Sequence, residues 1–179
     1  MKKICAFALL GLAALGASAE KADAGKQAVI DYNTLHVDEV TQTSTLTGDV
    51  VVTKGTLLLR AEKAVVKQTP AGDMHVTLNA GDGKLATFRQ KRDGGGDLWL
   101  EGEAQKIEYD ERSSVMKLFG NAKIRRLEGS KVTDEIKSEF ISYDSLREVF
   151  LSSDQPGGAG KPGGARGRMI INQIGRAHV

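Results

Sequence analysis

Apolar and polar residues alternate along most of the chain from Ala28 onward, and the spacing typical of an amphipathic helix is almost absent. The clearest case is the stretch 46–66, where the aliphatic runs 50–52 and 57–59 are joined by a short segment containing Gly55. A glycine-containing joint between two such runs predicts a β-hairpin. Turn residues separate similar segments about every 8–12 positions, which is typical of an all-β sandwich or a rolled sheet.

One pattern recurs three times along the chain. It reads VD…LTGDV around Asp38 and Gly48, YD…LFGNA around Asp110 and Gly120, and more weakly YD…LSSD after Asp144. The three copies repeat turn residues and apolar residues, and they contain no group of residues that could act in catalysis. They therefore predict a scaffold that extends itself by stacking strand pairs, in the manner of a solenoid.

The composition of the two ends differs from that of the β-rich middle. Residues 1–19 combine a positive start, an apolar run and a small-x-small site, which predicts a signal peptide, and 20–27 then form a flexible lead-in. The apolar run is shorter than the ~20 residues of a membrane-spanning helix, so a retained anchor is the alternative. Residues 28–153 form the β domain, 154–167 a Gly/Pro-rich linker and 168–173 a possible terminal strand.

The last six residues, 174–179, read IGRAHV and resemble the translation of a sequencing-library adapter. We expect this tail to be non-native and the natural C-terminus to be missing. The single cysteine, Cys5, lies in the predicted signal peptide, so the exported protein would hold no disulfide, thiol nucleophile or cysteine metal site.

The charge of the chain does not favour nucleic acid as a partner. The 25 basic residues exceed the 23 acidic ones only slightly, and cleavage of the signal removes Lys2 and Lys3. The mature protein is then close to neutral, without the excess of positive charge that binds phosphate backbones.

Four phrases, taken in order, carry a resemblance to a known family. LTGDVVVTKGTLLLRAEKAVV, AGDGKLATFRQ, LEGEAQKIEYDE and KLFGNAKIRR are similar to the OstA-like (LptA) family of periplasmic lipopolysaccharide-transport proteins, over about 28–151. The resemblance implies a twisted, open-ended β-jellyroll of repeated antiparallel strands that stack end to end by edge-strand pairing. It further implies LptC-like and LptD-like partner domains, a periplasmic location, no cofactor, and an apolar interior that carries lipopolysaccharide from the inner to the outer membrane.

The alternation also predicts which side chains line such an interior. The predicted groove residues are Ala28, Ile30, Val50, Val52, Leu57, Leu59, Phe88, Ile107, Tyr109, Ile124, Ile141 and Tyr143. The alternative for the aliphatic members is simple core packing. This pattern predicts that one edge of the sheet is 28–32. The other predicted edge is either 141–151, with Val149 and Leu151 as its last apolar positions, or 169–171.

Two basic clusters lie beside predicted groove residues. Arg89, Lys91 and Arg92 follow Phe88, and the pair 125–126 follows Ile124. Arginine binds phosphate in a bidentate manner, so the first three residues are candidates for lipid headgroup contacts. The alternative for both clusters is a solvated strand face.

Enzymatic alternatives find little support in the residues. His36 and His75 lack the spacing of a metal pair, and no nucleophile elbow or nucleotide-binding motif is present. Alternating carboxylates could serve glycan hydrolysis, although a solvated strand face explains them better. These carboxylates are Glu101, Glu103, Glu108 and Asp110. An LptC-like membrane-associated partner and a periplasmic polysaccharide-acting enzyme remain the alternatives to a lipid carrier.

Overall fold

A computed structural model of the chain describes residues 23, 25–81, 83–94, 96–158, 160 and 163–172. The predicted signal peptide 1–19, with Cys5, and the predicted non-native tail 174–179 lie outside these residues. In the described part of the chain, no helix is long and apolar enough to cross a membrane.

Twelve β-strands make up the described part of the chain, and every pairing between them is antiparallel. They are β1 (Ala28–Asp31), β2 (Thr34–Asp38), β3 (Thr43–Lys54), β4 (Leu57–Gln68), β5 (Met74–Asn79), β6 (Ala86–Lys91), β7 (Leu98–Ala104), β8 (Lys106–Asp110), β9 (Val115–Glu128), β10 (Lys131–Asp144), β11 (Val149–Ser153) and β12 (Arg168–Ile171). The predicted all-β class is confirmed.

The four long strands β3, β4, β9 and β10 divide this network into two layers, because each of them takes part in both. One layer has the order β2–β3–β4–β5–β8–β9–β10–β11, and the other has the order β1–β3–β4–β6–β7–β9–β10–β12. Side chains from both layers form one apolar core between them. The result is an antiparallel β-jellyroll.

The long strands bend between the layers at two equivalent corners. Gly48–Asp49 in β3 and Gly120–Asn121 in β9 all have positive φ values, and the strand register shifts at each pair. Each is a β-bulge, in which an extra residue bends the strand. A Cβ atom on either glycine would lie 2.4 Å from the side chain of Asn33 or of Gln105, so only glycine fits there. The repeated Leu-x-Gly-Asp/Asn phrase therefore marks the corners of the fold.

The aspartates of the same repeat shape three equivalent turns. The Oδ1 atom of each accepts a hydrogen bond from the backbone N–H three residues ahead. These hydrogen bonds are the main reason why the pKa values of Asp38 and Asp110 lie below the usual value for aspartate. A residue with a positive φ value near 50° then closes each turn. The three turns contain Asp38, Thr41 and Gln42; Asp110, Ser113 and Ser114; and Asp144, Arg147 and Glu148.

Both ends of the jellyroll are open. The strands β1 and β2 pair only with β3, and β11 and β12 pair only with β10, among the residues that the structure describes. Each layer therefore finishes, at both ends, in a strand whose outer edge has no partner there. Large exposed apolar side chains concentrate on these four strands. They are Val29, Leu35, Val37, Val149, Leu151, Met169, Ile170 and Ile171.

The segment that precedes β1 and the segment that connects β11 to β12 lie outside the strands. β11 ends at Ser153 and β12 begins at Arg168, so the Gly/Pro-rich segment 154–167 connects the two. Within the predicted flexible lead-in, however, Asp23 is buried. Its two carboxylate oxygens accept hydrogen bonds from the backbone N–H of Thr56, at 2.9 Å, and from its hydroxyl, at 2.5 Å. This contact fastens the chain just before β1.

Two ion pairs connect the layers on the side opposite the corners. Lys54, at the end of β3, pairs with Glu111, which follows β8 and also accepts the backbone N–H of Met74 at 3.0 Å. Arg92, after β6, lies 3.7 Å from Glu148 in the turn between β10 and β11. The side chain of Lys54 is only 6% exposed, and Glu111 supplies the countercharge for its buried ammonium.

We expect Glu111→Gln to destabilise the protein by about 1–3 kcal/mol, because it leaves the buried ammonium of Lys54 without a countercharge. The value lies below the ~3–5 kcal/mol of a fully buried pair because Glu111 is 21% exposed. Chemical denaturation measures the difference. The control is Arg147→Gln, which removes an exposed ion pair with Asp144. Equal loss of stability in the two variants would contradict a structural role for the pair.

A close approach in the core involves Phe88 on β6 and Gly102 on β7, which face each other in the strand register. A Cβ atom on Gly102 would lie 2.1 Å from the ring of Phe88, which is 2% exposed. The ring therefore occupies the space that any other residue at position 102 would need.

We expect Gly102→Ala to destabilise the protein by about 1–3 kcal/mol, because overpacking forces the Phe88 ring out of its place. Adding Phe88→Leu to the same chain should recover part of this loss. Thermal unfolding compares these variants with Gly25→Ala, where a Cβ meets nothing within 4 Å. An unchanged melting temperature for Gly102→Ala would contradict this prediction, because the Phe88 ring would then not need the space that Gly102 leaves.

Candidate functional site

The inner faces of the two layers form a continuous apolar lining. The strand register places all the predicted groove residues on these faces. Ala28, Ile30 and Tyr109 are partly exposed. The others are at most 5% exposed: Val50, Val52, Leu57, Leu59, Phe88, Ile107, Ile124, Ile141 and Tyr143. Contact of these side chains with a lipid stays a prediction.

Open space in the interior lies at the end where β11 and β12 are found. A cavity of about 500 Å³ opens there between the two layers. Its lining is mostly apolar, although it includes two arginines and an aspartate. The residues around it are Ile124, Arg126, Asp134, Ile136, Phe150, Ser152, Gly167, Arg168 and Met169. Ile124 is the member of the predicted groove set that lines this cavity.

The sequence pattern missed three apolar residues of the cavity, namely Ile136, Phe150 and Met169. The alternation predicted Val149 and Leu151 as the apolar positions of their segment, but both are exposed, and Phe150 between them faces inward. Its ring stacks on Tyr143, with 4.4 Å between the centroids. The signal that could have found it is an aromatic pair in a hairpin.

Two charged side chains that face each other in the strand register, Arg126 and Asp134, line this cavity. Arg126 on β9 lies opposite Leu100, which is fully buried, so Arg126 shares the inward face. Its guanidinium lies 4.8 Å from the centre of the Phe150 ring and 3.9 Å from Oδ2 of Asp134. The preceding residue, Arg125, faces outward, where it lies 3.6 Å from a carboxylate oxygen of Glu101.

Of the predicted headgroup residues, Arg89 and Lys91 lie on the outer side and Arg92 lies between the two layers, and all three have partners in the chain. Arg89 donates a hydrogen bond of 2.7 Å to Glu101, and its guanidinium lies 4.2 Å from the centre of the Trp99 ring. Lys91 lies 5.9 Å from the same ring. Arg92 makes one of the ion pairs between the layers. Phosphate contacts of these three residues stay a prediction.

The alternating carboxylates considered for glycan hydrolysis each have a basic partner. Glu101 accepts from Arg89, Glu103 pairs with Lys123, Glu108 with Lys106 at 2.8 Å, and Asp110 with His75 at 3.0 Å. Among the described residues, no group of three or more His, Cys, Asp or Glu side chains could hold a metal ion. Glu101 and Glu103 form ion pairs across strands, whereas Glu108 pairs within β8 and Asp110 contacts a histidine.

Tyr109 gives the interior a polar but uncharged group near the Lys54–Glu111 pair. The pKa of its phenol is raised to about 12, first by burial and then by the negative charges of Glu111, Asp110 and Asp23. The hydroxyl therefore stays protonated at neutral pH. An aromatic ring with a polar tip suits a slot that is apolar inside and wet at its opening.

The apolar inner faces of the two layers enclose an interior that is open at both ends. This arrangement defines the class of open-ended β-jellyroll scaffolds and differs from a closed sandwich. Residues 29–149 match the family model described as LptA/(LptD N-terminal domain) LPS transport protein, and the chain belongs to this family. The family recognised from the four sequence phrases is thereby confirmed.

Individual relatives agree with this assignment. The lipopolysaccharide export system protein LptA of Escherichia coli K12 is 35% identical over 99 residues, which are 53% of this chain and 52% of that protein. The match thus spans about half the length of this relative. The protein of the same name from Haemophilus influenzae is 28% identical over 141 residues, covering 76% of this chain and 81% of that protein.

A solved structure confirms the fold. It is LptH from Pseudomonas aeruginosa, described as the LptA homologous periplasmic component of the conserved lipopolysaccharide transport device. It superposes with a TM-score of 0.72 at 23% sequence identity, over 84% of this chain and 99% of that one. The predicted OstA-like β-jellyroll is therefore correct.

Proposed function

We propose that this protein is a non-enzymatic periplasmic carrier of lipopolysaccharide. Acyl chains of the lipid bind in the apolar interior, and copies of the protein join end to end through their open edges. With LptC-like and LptD-like jellyroll domains at its two ends, such a row bridges the inner and outer membranes. The relatives support this proposal by their names, which describe lipopolysaccharide export and a periplasmic component.

The observation that carries the proposal is the pair of open ends. At each end, two edge strands present unpaired backbone N–H and C=O groups, a feature that isolated proteins normally avoid. The edge strands also expose inward-facing apolar residues such as Leu35, opposite the buried Leu46, and Met169, opposite Ile136. Strand addition from a neighbouring jellyroll satisfies the backbone groups and continues the apolar lining across the junction.

The interior suits acyl chains because most of its lining is aliphatic or aromatic. Burial of each methylene group contributes about 0.8 kcal/mol to the binding free energy. This hydrophobic contribution does not depend on a particular orientation of the acyl chain. The carboxylates that could have supported catalysis are ion paired on the outer side. This pairing favours a carrier over a polysaccharide-acting enzyme.

Photo-crosslinking tests the interior site with two neighbouring positions of β11. We expect the photoreactive amino acid p-benzoylphenylalanine, placed at Phe150, which faces the cavity, to form an adduct with purified lipopolysaccharide. The same amino acid at Leu151, which faces outward and is 45% exposed, should form little or none. Immunoblotting for lipopolysaccharide measures the adducts. Equal adducts at the two positions, or none at Phe150, would contradict binding in the interior.

Proline substitutions at opposite ends test end-to-end assembly. Ile30→Pro in β1 and Met169→Pro in β12 each place a residue that lacks an N–H in an edge strand at one end. We expect each variant alone to associate less than the wild type, because each retains only one intact end. An equal mixture should form dimers but no longer rows, since the intact ends are complementary.

Sedimentation velocity at several concentrations distinguishes the arrangements. If Met169→Pro alone dimerised, the ends with β1 and β2 would join each other, and the head-to-tail row would be wrong. A wild-type protein that stayed monomeric at every concentration would also contradict assembly. Circular dichroism of each variant provides the folding control.

A further inference from the structure

We infer that Arg126 forms an anion site inside the jellyroll, which binds a phosphate group of the acylated lipid while its chains occupy the apolar lining. The inference rests on the proposed function and deepens it, because it places one headgroup contact in the interior. The sequence had pointed instead to Arg89, Lys91 and Arg92.

The position of Arg126 is the first support. Its side chain faces the same way as the buried Leu100 and lines the cavity together with Ile124 and Phe150. The side chain is 34% exposed, so the guanidinium lies where the interior meets solvent at the open end. A lipid that enters here with its acyl chains inward would leave its charged group beside this cation.

The hydrogen-bonding capacity of the guanidinium is the second support. A guanidinium has five N–H donors. Within the described residues, the nearest acidic oxygen, Oδ2 of Asp134, lies 3.9 Å away, which exceeds hydrogen-bond length. The outward-facing cations of the neighbouring strands are closer to their partners, for instance Arg89 to Glu101 at 2.7 Å. Arg126 therefore retains donors for an external anion.

The surroundings hold the guanidinium in place. It lies over the ring of Phe150, which stacks in turn on the buried ring of Tyr143. A cation held over an aromatic face and next to apolar side chains loses little freedom when it binds an anion. Phosphate offers the paired oxygens that a guanidinium binds in a bidentate manner.

Substitution of Asp134 provides a second test, because it should change the affinity for phosphate in the direction opposite to that of a substitution at Arg126. Its carboxylate also lines the cavity and accepts a hydrogen bond of 3.2 Å from the hydroxyl of Thr133. A phosphate beside Arg126 would experience repulsion from this carboxylate. Removal of the charge of Asp134 should therefore strengthen phosphate binding, whereas removal of the charge of Arg126 should weaken it.

The experiment measures dissociation constants for bisphosphorylated lipid A and for dephosphorylated lipid A, at low and at high salt. We expect Arg126→Gln to weaken binding of the phosphorylated lipid about tenfold, the range of a charge-assisted hydrogen bond, and to reduce its salt dependence. Binding of the dephosphorylated lipid should not change. Arg126→Lys should retain the salt dependence, and Asp134→Asn should bind the phosphorylated lipid more tightly.

The matched control is Arg125→Gln, the same substitution on the adjacent, outward-facing residue. It should leave both dissociation constants unchanged. An equal effect of the two glutamine variants would overturn the inference, as would an equal loss for both lipids after Arg126→Gln. Inorganic phosphate provides a further arm: if it bound as tightly as the phosphorylated lipid, the site would be one for free phosphate and the inference would be overturned.

The outcomes separate the inference from the proposed function. A wild-type protein that bound neither lipid would overturn both. A wild-type protein that bound both lipids, together with an Arg126→Gln variant indistinguishable from it, would overturn the anion site alone. Thermal unfolding of every variant shows whether a loss of binding comes from a loss of structure, and Arg126→Lys serves if the glutamine variant does not fold.

Discussion

The structure depends on two corners, where left-handed residue pairs bend the long strands from one layer into the other. Without Gly48–Asp49 and Gly120–Asn121, strands of twelve and fourteen residues would extend a single sheet with an exposed apolar face. Glycine adopts positive φ values without strain, and asparagine and aspartate tolerate them better than most residues. The side chains of Asn33 and Gln105 fill the space that the two glycines leave. A few local conformations therefore create the enclosed interior.

The same corners explain why the jellyroll closes along its length and not at its ends. A bend in a strand brings two layers face to face, but it adds no strand at either edge of a layer. Burial accordingly decreases from the centre, where Leu78, Ile107 and Leu118 are fully buried, toward the edge strands, where Val37 and Ile171 are more than half exposed. The core supplies the stability, whereas the unsatisfied edges and exposed apolar side chains are available for a partner.

The sequence predicted those features that depend on short-range alternation. The inward positions of Val50, Leu59, Ile107 and Ile141 follow from period two, and the repeated Gly-Asp/Asn pairs coincide with the corners. Phe150 was missed because a shift of one residue turns every side chain of a strand to the other face, and β11 is short and flanked by turns. The partners of Arg89 lie on other strands, so alternation within one strand could not reveal that the arginine is already paired.

The distribution of charge distinguishes the interior from the outer faces. On the outside, lysines, arginines and carboxylates of the same or of adjacent strands pair with one another, and such exposed pairs contribute little stability. Inside, Arg126 stands beside an apolar cavity, with a carboxylate beyond hydrogen-bond length. A carrier must bind its cargo and also release it, and apolar burial alone grows with every methylene group. A partly exposed cation such as Arg126 at an open end can orient an amphipathic lipid through its headgroup while salt and solvent keep that contact reversible.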